Sequence, residues 1–183
     1  MSYTAPTGLS ATGTAYNSVI LTWTNTESTP DIQIQRKAAG GSYSTLLIIP
    51  NEGTVDPQVQ LDFGGMVSSN THYYYRIRYN DGSNVSVWST EADGWTYPKP
   101  PSALSVSSSS VGLTATLEWT NGDTYTYLKV YYKLHADSSW TAYNEALTGT
   151  LTTTTVVVPT ETADYDFRIR GYNSSTTYNA TYS

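Results

Sequence analysis

One set of phrases in this chain is written twice. "APTGLSAT" around Leu9, "LTWTN" around Trp23 and "YYYRIRYND" around Arg76 return as "PPSALSVS" around Leu104, "LEWTN" around Trp119 and "YDFRIRGYN" around Arg168. The offsets are 95 residues for the leucines, 96 for the tryptophans and 92 for the arginines. A near-constant offset with the same order of phrases means two copies of one folding unit in tandem. "YPKPP", Tyr97 to Pro101, runs between them, and its prolines favour a short, extended connection. The expected units are residues 1–98 and 99–183.

The period inside the phrases sets the fold class. "SVILTW" (Ser18 to Trp23), "DIQIQRK" (Asp31 to Lys37), "LKVYYKL" (Leu128 to Leu134) and "TTTTVVVP" (Thr152 to Pro159) are β-branched or aromatic runs bounded by Asn, Gly, Asp and Pro. Strands separated by turns read this way, so the chain is all-β. A two-residue period puts Tyr73, Tyr75, Ile77 and Tyr79 on one face and Tyr74, Arg76 and Arg78 on the other. In the copy, Tyr165, Phe167, Ile169 and Gly171 face in, while Asp166, Arg168 and Arg170 face water. With 38% hydrophobic residues, 17 Tyr and 5 Trp, there is material for a core in each unit.

Composition removes several functions. A net charge of -6 argues against a nucleic-acid binder driven by bulk positive charge. With no cysteine there is neither a disulfide framework nor a thiolate metal site. No window is apolar enough for a membrane span, and "MSYTAPTGLSATG" carries no secretory pattern. The expectation is a product made in the cytoplasm, with an extracellular fragment as the alternative. His72 and His135 lie far apart in the repeat, and no Ser-His-Asp order, metal-binding helix motif or phosphate loop is present. Asp164 and Asp166 flank Tyr165, and "NGD" at Asn121 to Asp123 puts an acid in a turn. These read as a solvated strand edge and an Asx turn, with weak calcium binding the competing reading. No catalytic residue, cofactor or metal ligand is expected.

Pro6 and Leu9, Trp23, and Tyr73 through Asp81 in the first copy, with Pro101 and Leu104, Trp119, and Tyr165 through Asn173 in the second, resemble the fibronectin type III family over essentially the whole chain. The resemblance implies two tandem seven-stranded immunoglobulin-like β-sandwiches, used as spacer, scaffold or recognition module. It also implies that Tyr73 and Tyr165 are corner tyrosines tying strand F to the preceding loop. "SVWS", Ser86 to Ser89, falls where strand G should run beside strand F and resembles the Trp-Ser phrase of cytokine-receptor domains. Arg76, Arg78 and Trp88 are therefore expected to stack as a structural ladder, with a partner-binding patch as the alternative. Trp140 and Tyr143 in "SSWTAYNEA" are candidates to stack on a sugar ring, or to cover the sheet.

The function expected from these features is non-catalytic. The leading reading is a structural or adhesion protein of a virus particle, a bacteriophage capsid-decoration or tail component displayed on the virion surface. The alternative is a spacer or sugar-binding accessory module of a secreted bacterial carbohydrate-active enzyme or surface adhesin. Partners would be other protein subunits of an assembly, or a cell-surface glycan. The second copy ends at "ATYS" where the first continues to "TEADGWTYP". Its last strand is thus expected to be shortened to Tyr178 to Ser183, leaving the edge at Tyr165 to Phe167 to dock on a neighbour.

Overall fold

The computed structural model describes residues 3–28, 30–51, 58–63, 66–108, 113–160 and 163–173. It divides into two compact units, Met1–Thr96 and Tyr97–Ser183. Thirteen strands are formed among the described residues, all pairs are antiparallel, and no helix is long and apolar enough to cross a membrane.

In the first unit, β1 (Thr7–Ala15), β2 (Ser18–Thr24) and β5 (Gln58–Phe63) make one sheet in the order β1-β2-β5. β3 (Asp31–Ala38), β4 (Ser44–Ile49), β6 (His72–Asn80) and β7 (Ala92–Trp95) make the other, in the order β4-β3-β6-β7. Alternation decides which side chains meet between the two sheets. Val19, Leu21 and Trp23 from β2, Ile32 and Ile34 from β3, and Tyr73, Tyr75, Ile77 and Tyr79 from β6 form one buried cluster. The β6 burial pattern alternates along its whole length, as the two-residue period requires.

The second unit repeats the plan. β8 (Ser102–Ser108), β9 (Thr114–Thr120) and β12 (Thr153–Val157) form the order β12-β9-β8, and β10 (Tyr127–Leu134), β11 (Thr141–Thr148) and β13 (Tyr165–Tyr172) form β11-β10-β13. Its core holds Leu117, Trp119, Leu128, Val130, Val156 and Ile169, with Leu104 and Phe167 packed against them. The last strand expected at Tyr178 to Ser183, and with it the exposure of the edge at Tyr165 to Phe167, lies outside the described residues.

Two repeated phrases now have physical causes. A buried indole needs an acceptor for its N–H. Trp23 Nε1 donates to Asn25 Oδ1 at 3.0 Å, and Trp119 Nε1 to Asn121 Oδ1 at 3.0 Å, which is why "WTN" occurs twice. Both corner tyrosines are also made: Tyr73 Oη accepts from the Ser68 amide at 2.8 Å, and Tyr165 Oη from the Thr160 amide at 3.2 Å.

Candidate functional site

The outer face of the first unit's four-stranded sheet collects the arginines singled out by sequence. Gln33 lies directly across from Arg78 and Gln35 from Arg76 in the β3–β6 register. Arg76 donates from Nε and Nη2 to Gln35 Oε1 at 3.0 and 2.7 Å, and Arg78 Nε donates to Gln33 Oε1 at 2.7 Å. Held this way, both guanidiniums lie 4.3 Å from the Trp88 ring centroid, and Arg76 is also 4.0 Å from Tyr43. Each such contact contributes roughly 0.5–1 kcal/mol when exposed, more when water is excluded. These arginines point outward and are half-buried under rings and amides, in the stack with Trp88 that was expected of them.

Trp88 is placed by the two serines that bracket it. The Ser86 amide donates to Tyr79 O at 3.1 Å and the Ser89 amide to Ile77 O at 2.8 Å. In return, the Tyr79 amide donates to Ser86 Oγ and the Ile77 amide to Ser89 Oγ, both at 3.1 Å. Side-chain hydroxyls thus act as acceptors where a strand would present carbonyls. This revises the expectation of strand G at Ser86 to Ser89. The segment pairs with β6 without strand geometry, and the regular edge strand begins at Ala92.

The stack continues along the sheet. Lys37 Nζ lies 4.7 Å from Tyr43 and 4.9 Å from Tyr74, and 3.2 Å from the Glu91 carboxylate, which also accepts from the Tyr43 hydroxyl. Burial first, and the bond to Glu91 second, raise the Tyr43 hydroxyl far above the ordinary tyrosine range. Beyond Tyr74, His72 stacks on Trp95 with centroids 4.7 Å apart, its Nε2 2.7 Å from Asp93 Oδ2.

In the second unit the ring over the strand-F arginine is Trp140. Arg168 lies 4.1 Å from it and 5.2 Å from Tyr131, and Lys133 Nζ is 5.5 Å away. Trp140 thus does for Arg168 what Tyr43 does for Arg76, from the same place after the preceding turn. Tyr143 goes elsewhere: it meets Tyr132 edge-on at 6.5 Å and packs against the second core. The structure does not bring Trp140 and Tyr143 onto one exposed platform, so that pair lacks the geometry for stacking on a sugar.

Asp166 is engaged by Lys133 at 3.1 Å and by His135 Nδ1 at 2.9 Å. The hydrogen bond from His135 first, then that from Lys133, holds its carboxyl below the usual range. It is turned to Lys133 and His135 rather than paired with Asp164, and no group of three metal-ligating side chains occurs among the described residues.

Sequence reading missed one buried polar trio. Asp62, with 1% side-chain exposure, accepts from Arg36 Nη1 at 2.9 and 2.7 Å and from the Tyr75 hydroxyl at 2.9 Å. Burial and then Asp62 push the Tyr75 hydroxyl far above the usual tyrosine range. The signal was available: Arg36 shares parity with Ile32 and Ile34, which put it on the inward face.

No protein-family profile matches the sequence, and a search of curated proteins returns no match. Solved structures do resemble it. A two-domain fibronectin type III segment of chicken tenascin superposes with a TM-score of 0.59 at 17% identity, covering 98% of this chain and 97% of that one. The FN1–FN3 domains of chicken CNTN1 cover 98% of this chain and 62% of theirs, at 13% identity and a TM-score of 0.46. An Fn3-like protein of Clostridium thermocellum covers 52% of this chain and 94% of its own, at 28% identity and a TM-score of 0.41. The tenascin comparison carries the conclusion: the chain is an all-β protein with the fold of tandem fibronectin type III domains. The two sandwiches, each with an arginine stack on its outer face, are what that fold presents here.

Proposed function

We propose that this chain is a non-catalytic structural or adhesion module, carried as a capsid-decoration or tail component of a virus particle, the bacteriophage case being the one its sequence motivates. The observation that supports the non-catalytic part is occupancy of the chemistry-bearing groups. Asp62, Asp166, His72, His135, Arg76 and Arg78 are tied to other side chains of their own unit. Among the described residues, neither His–Asp pair has a hydroxyl or other nucleophile hydrogen-bonded to its imidazole, the contact by which a base activates a nucleophile. The particle part is supported by sequence features: no cysteine, and a chain rich in Ser, Thr and Tyr.

Mass spectrometry of density-purified particles from the source organism tests this. Recovery at a fixed ratio to the major coat protein is the expected result. Recovery from the culture medium as part of a polypeptide with a glycosidase domain, with none in particles, would replace the reading by the spacer or accessory-module alternative.

A further inference from the structure

The phrase "TNGD", Thr120 to Asp123, holds the chain's only Asn-Gly step. Such a step is chemically weak, because glycine has no side chain to shield its amide nitrogen from the carboxamide before it. Two separate demands of the second unit place it here. A carboxamide is needed at 121 because an indole wants an acceptor and two carbonyls want a donor. Trp119 Nε1 donates to Asn121 Oδ1 at 3.0 Å, while Asn121 Nδ2 donates to Gly149 O at 3.4 Å and to Leu151 O at 3.2 Å. Glycine is needed at 122 because the preceding chain passes against it: a Cβ there would stand 2.2 Å from Pro100 O and 3.1 Å from Lys99 Cβ. The first unit keeps the asparagine, Asn25, but follows it with Thr26, whose side chain shields the amide.

The contacts that demand this dipeptide also immobilise its reacting atoms. Reaction requires the Gly122 nitrogen to swing onto Asn121 Cγ. That nitrogen is committed to Tyr125 Oη at 3.1 Å, and Tyr125 is buried and fixed in turn by donating to Lys99 O at 2.6 Å. The carboxamide is held from β9 through Trp119 and from the loop between β11 and β12 through Gly149 and Leu151. Neither partner can move without breaking bonds to distant parts of the unit.

We infer that Asn121 is a deamidation site, shut while the second unit is folded and open whenever it unfolds, and that its reaction makes this unfolding one-way. In the open chain the Gly122 amide gives its proton to hydroxide and its nitrogen attacks Asn121 Cγ. The N–Cγ bond forms, the Cγ–Nδ2 bond breaks and ammonia leaves, which closes a cyclic imide. Water then opens the ring at one carbonyl or the other. The product is aspartate at 121, or its iso form, whose main chain runs through Cβ and Cγ and is one atom longer. One water is consumed and one ammonia released. Both products fail the site. Aspartate sets a charged oxygen where Nδ2 had donated to two carbonyls, and the iso form carries the acceptor away from Trp119. A unit that reacts while open is thus lost to refolding.

The full chain is incubated in mildly alkaline buffer with and without guanidinium chloride, and peptide mass spectrometry reads the amide-to-acid mass gain at each asparagine. Asn121 should react first in denaturant, well ahead of Asn25. Without denaturant it should react about a hundredfold slower or more, because only the rare opened unit is reactive. Once denaturant is removed, heteronuclear spectra should show the first unit fully restored and the second restored only in proportion to unreacted Asn121. Denaturant in mildly acidic buffer, where the amide keeps its proton, should let both units return. Asn121→Ser, which has no ammonia to release, should keep its own untreated spectrum after the alkaline treatment. Equal rates with and without denaturant, another asparagine reacting first in denaturant, or full return of the second unit in chains already deamidated at Asn121 would overturn the proposal.

Discussion

The two units solve one internal problem in opposite ways. Between the sheets of the first, Asp62 on β5 meets Arg36 on β3 and Tyr75 on β6. At the matching positions of the second unit stand Val156, Tyr132 and Phe167, since Asp62 pairs with Val19 where Val156 pairs with Ala115, and Arg36 with Tyr75 where Tyr132 pairs with Phe167. A buried ion pair and a set of packed apolar and aromatic side chains therefore occupy equivalent space in one chain. What this teaches is that the sandwich constrains volume and polarity matching at this layer, not chemical type. Removing two charges from water costs several kcal/mol, so the polar version is tolerated only because Asp62's oxygens are all partnered.

The largest effect should come from breaking that match. Asp62→Ala leaves Arg36 buried without its counter-charge and should destabilise the first unit by about 3–5 kcal/mol, read by denaturant unfolding with heteronuclear spectra to resolve the units. Moving the whole apolar set across (Arg36→Tyr, Asp62→Val and Tyr75→Phe together) should be neutral or stabilising by about 1–4 kcal/mol. A triple variant as damaged as the single one would show that the two layers are not interchangeable.

Next in size is the ladder. Trp88→Ala should lower the stability of the first unit by about 1–3 kcal/mol, and Trp140→Ala that of the second by a similar amount, through lost packing and the lost cation contacts. Arg76→Ala combined with Trp88→Ala should be less than additive, with a coupling of about 0.5–3 kcal/mol in a double-mutant cycle. Strict additivity would mean that Arg76 and Trp88 touch without stabilising each other.

A smaller contrast lies at the first bulge of each unit. Gly8 has φ 64°, and its counterpart Ala103 holds φ 53°. The left-handed region costs a side-chain-bearing residue about 1–2 kcal/mol. Ala103→Gly should recover up to about 1 kcal/mol in the second unit, and Gly8→Ala should lose about as much in the first. The added methyl group at position 8 would meet nothing closer than Thr24 Oγ1 at 3.8 Å, so only the backbone is strained. Equal melting temperatures across both exchanges would count against the strain.

The smallest contrast appears only in alkali. In the first unit the Tyr79 hydroxyl, on strand F, accepts from the Thr26 and Glu27 amides at 2.7 and 2.9 Å. The second unit has Gly171 at that strand position, and Tyr125 reaches in from the loop, lying against Gly171 and donating to Lys99 O at 2.6 Å. Burial pushes the Tyr125 hydroxyl up to about 12. A folded pKa above the ordinary 10.0 means the folded unit holds this proton more tightly, so its contribution is complete below pH 10 and lost as pH rises through about 12. Tyr125→Phe should flatten the second unit's stability loss across that window. An unchanged alkaline profile would remove Tyr125 as its cause.

Much of this was legible in the sequence because it depends on period and repetition. The inward set of both cores follows from alternation and from phrases that occur twice, whereas the corner tyrosines and the Trp88 stack were expected from the family resemblance of those phrases. What escaped depends on cross-strand register between distant segments. Arg36 reads as inward by parity, but that Asp62 would stand opposite it requires knowing how β5 pairs with β2. Trp140 was legible as a cover for the sheet by its place after a turn, whereas the bulge in β11 that carries Tyr143 to the inner side leaves no local mark.

The seryl hydroxyls on either side of Trp88 have one more consequence, for solubility. Besides accepting from β6, Ser86 Oγ donates to Val87 O at 2.7 Å and Ser89 Oγ to Thr90 O at 2.8 Å. Two carbonyls on the outermost segment beside β6 are therefore engaged by the segment's own side chains. An exposed strand invites other chains through its row of unpaired amides and carbonyls. Along Ser86 to Thr90 that row is interrupted by hydroxyl groups, and a second molecule approaching this stretch finds no regular ladder to extend, the regular edge on this flank being the four residues of β7. Sheet fusion through this stretch is thereby disfavoured even where many copies crowd together.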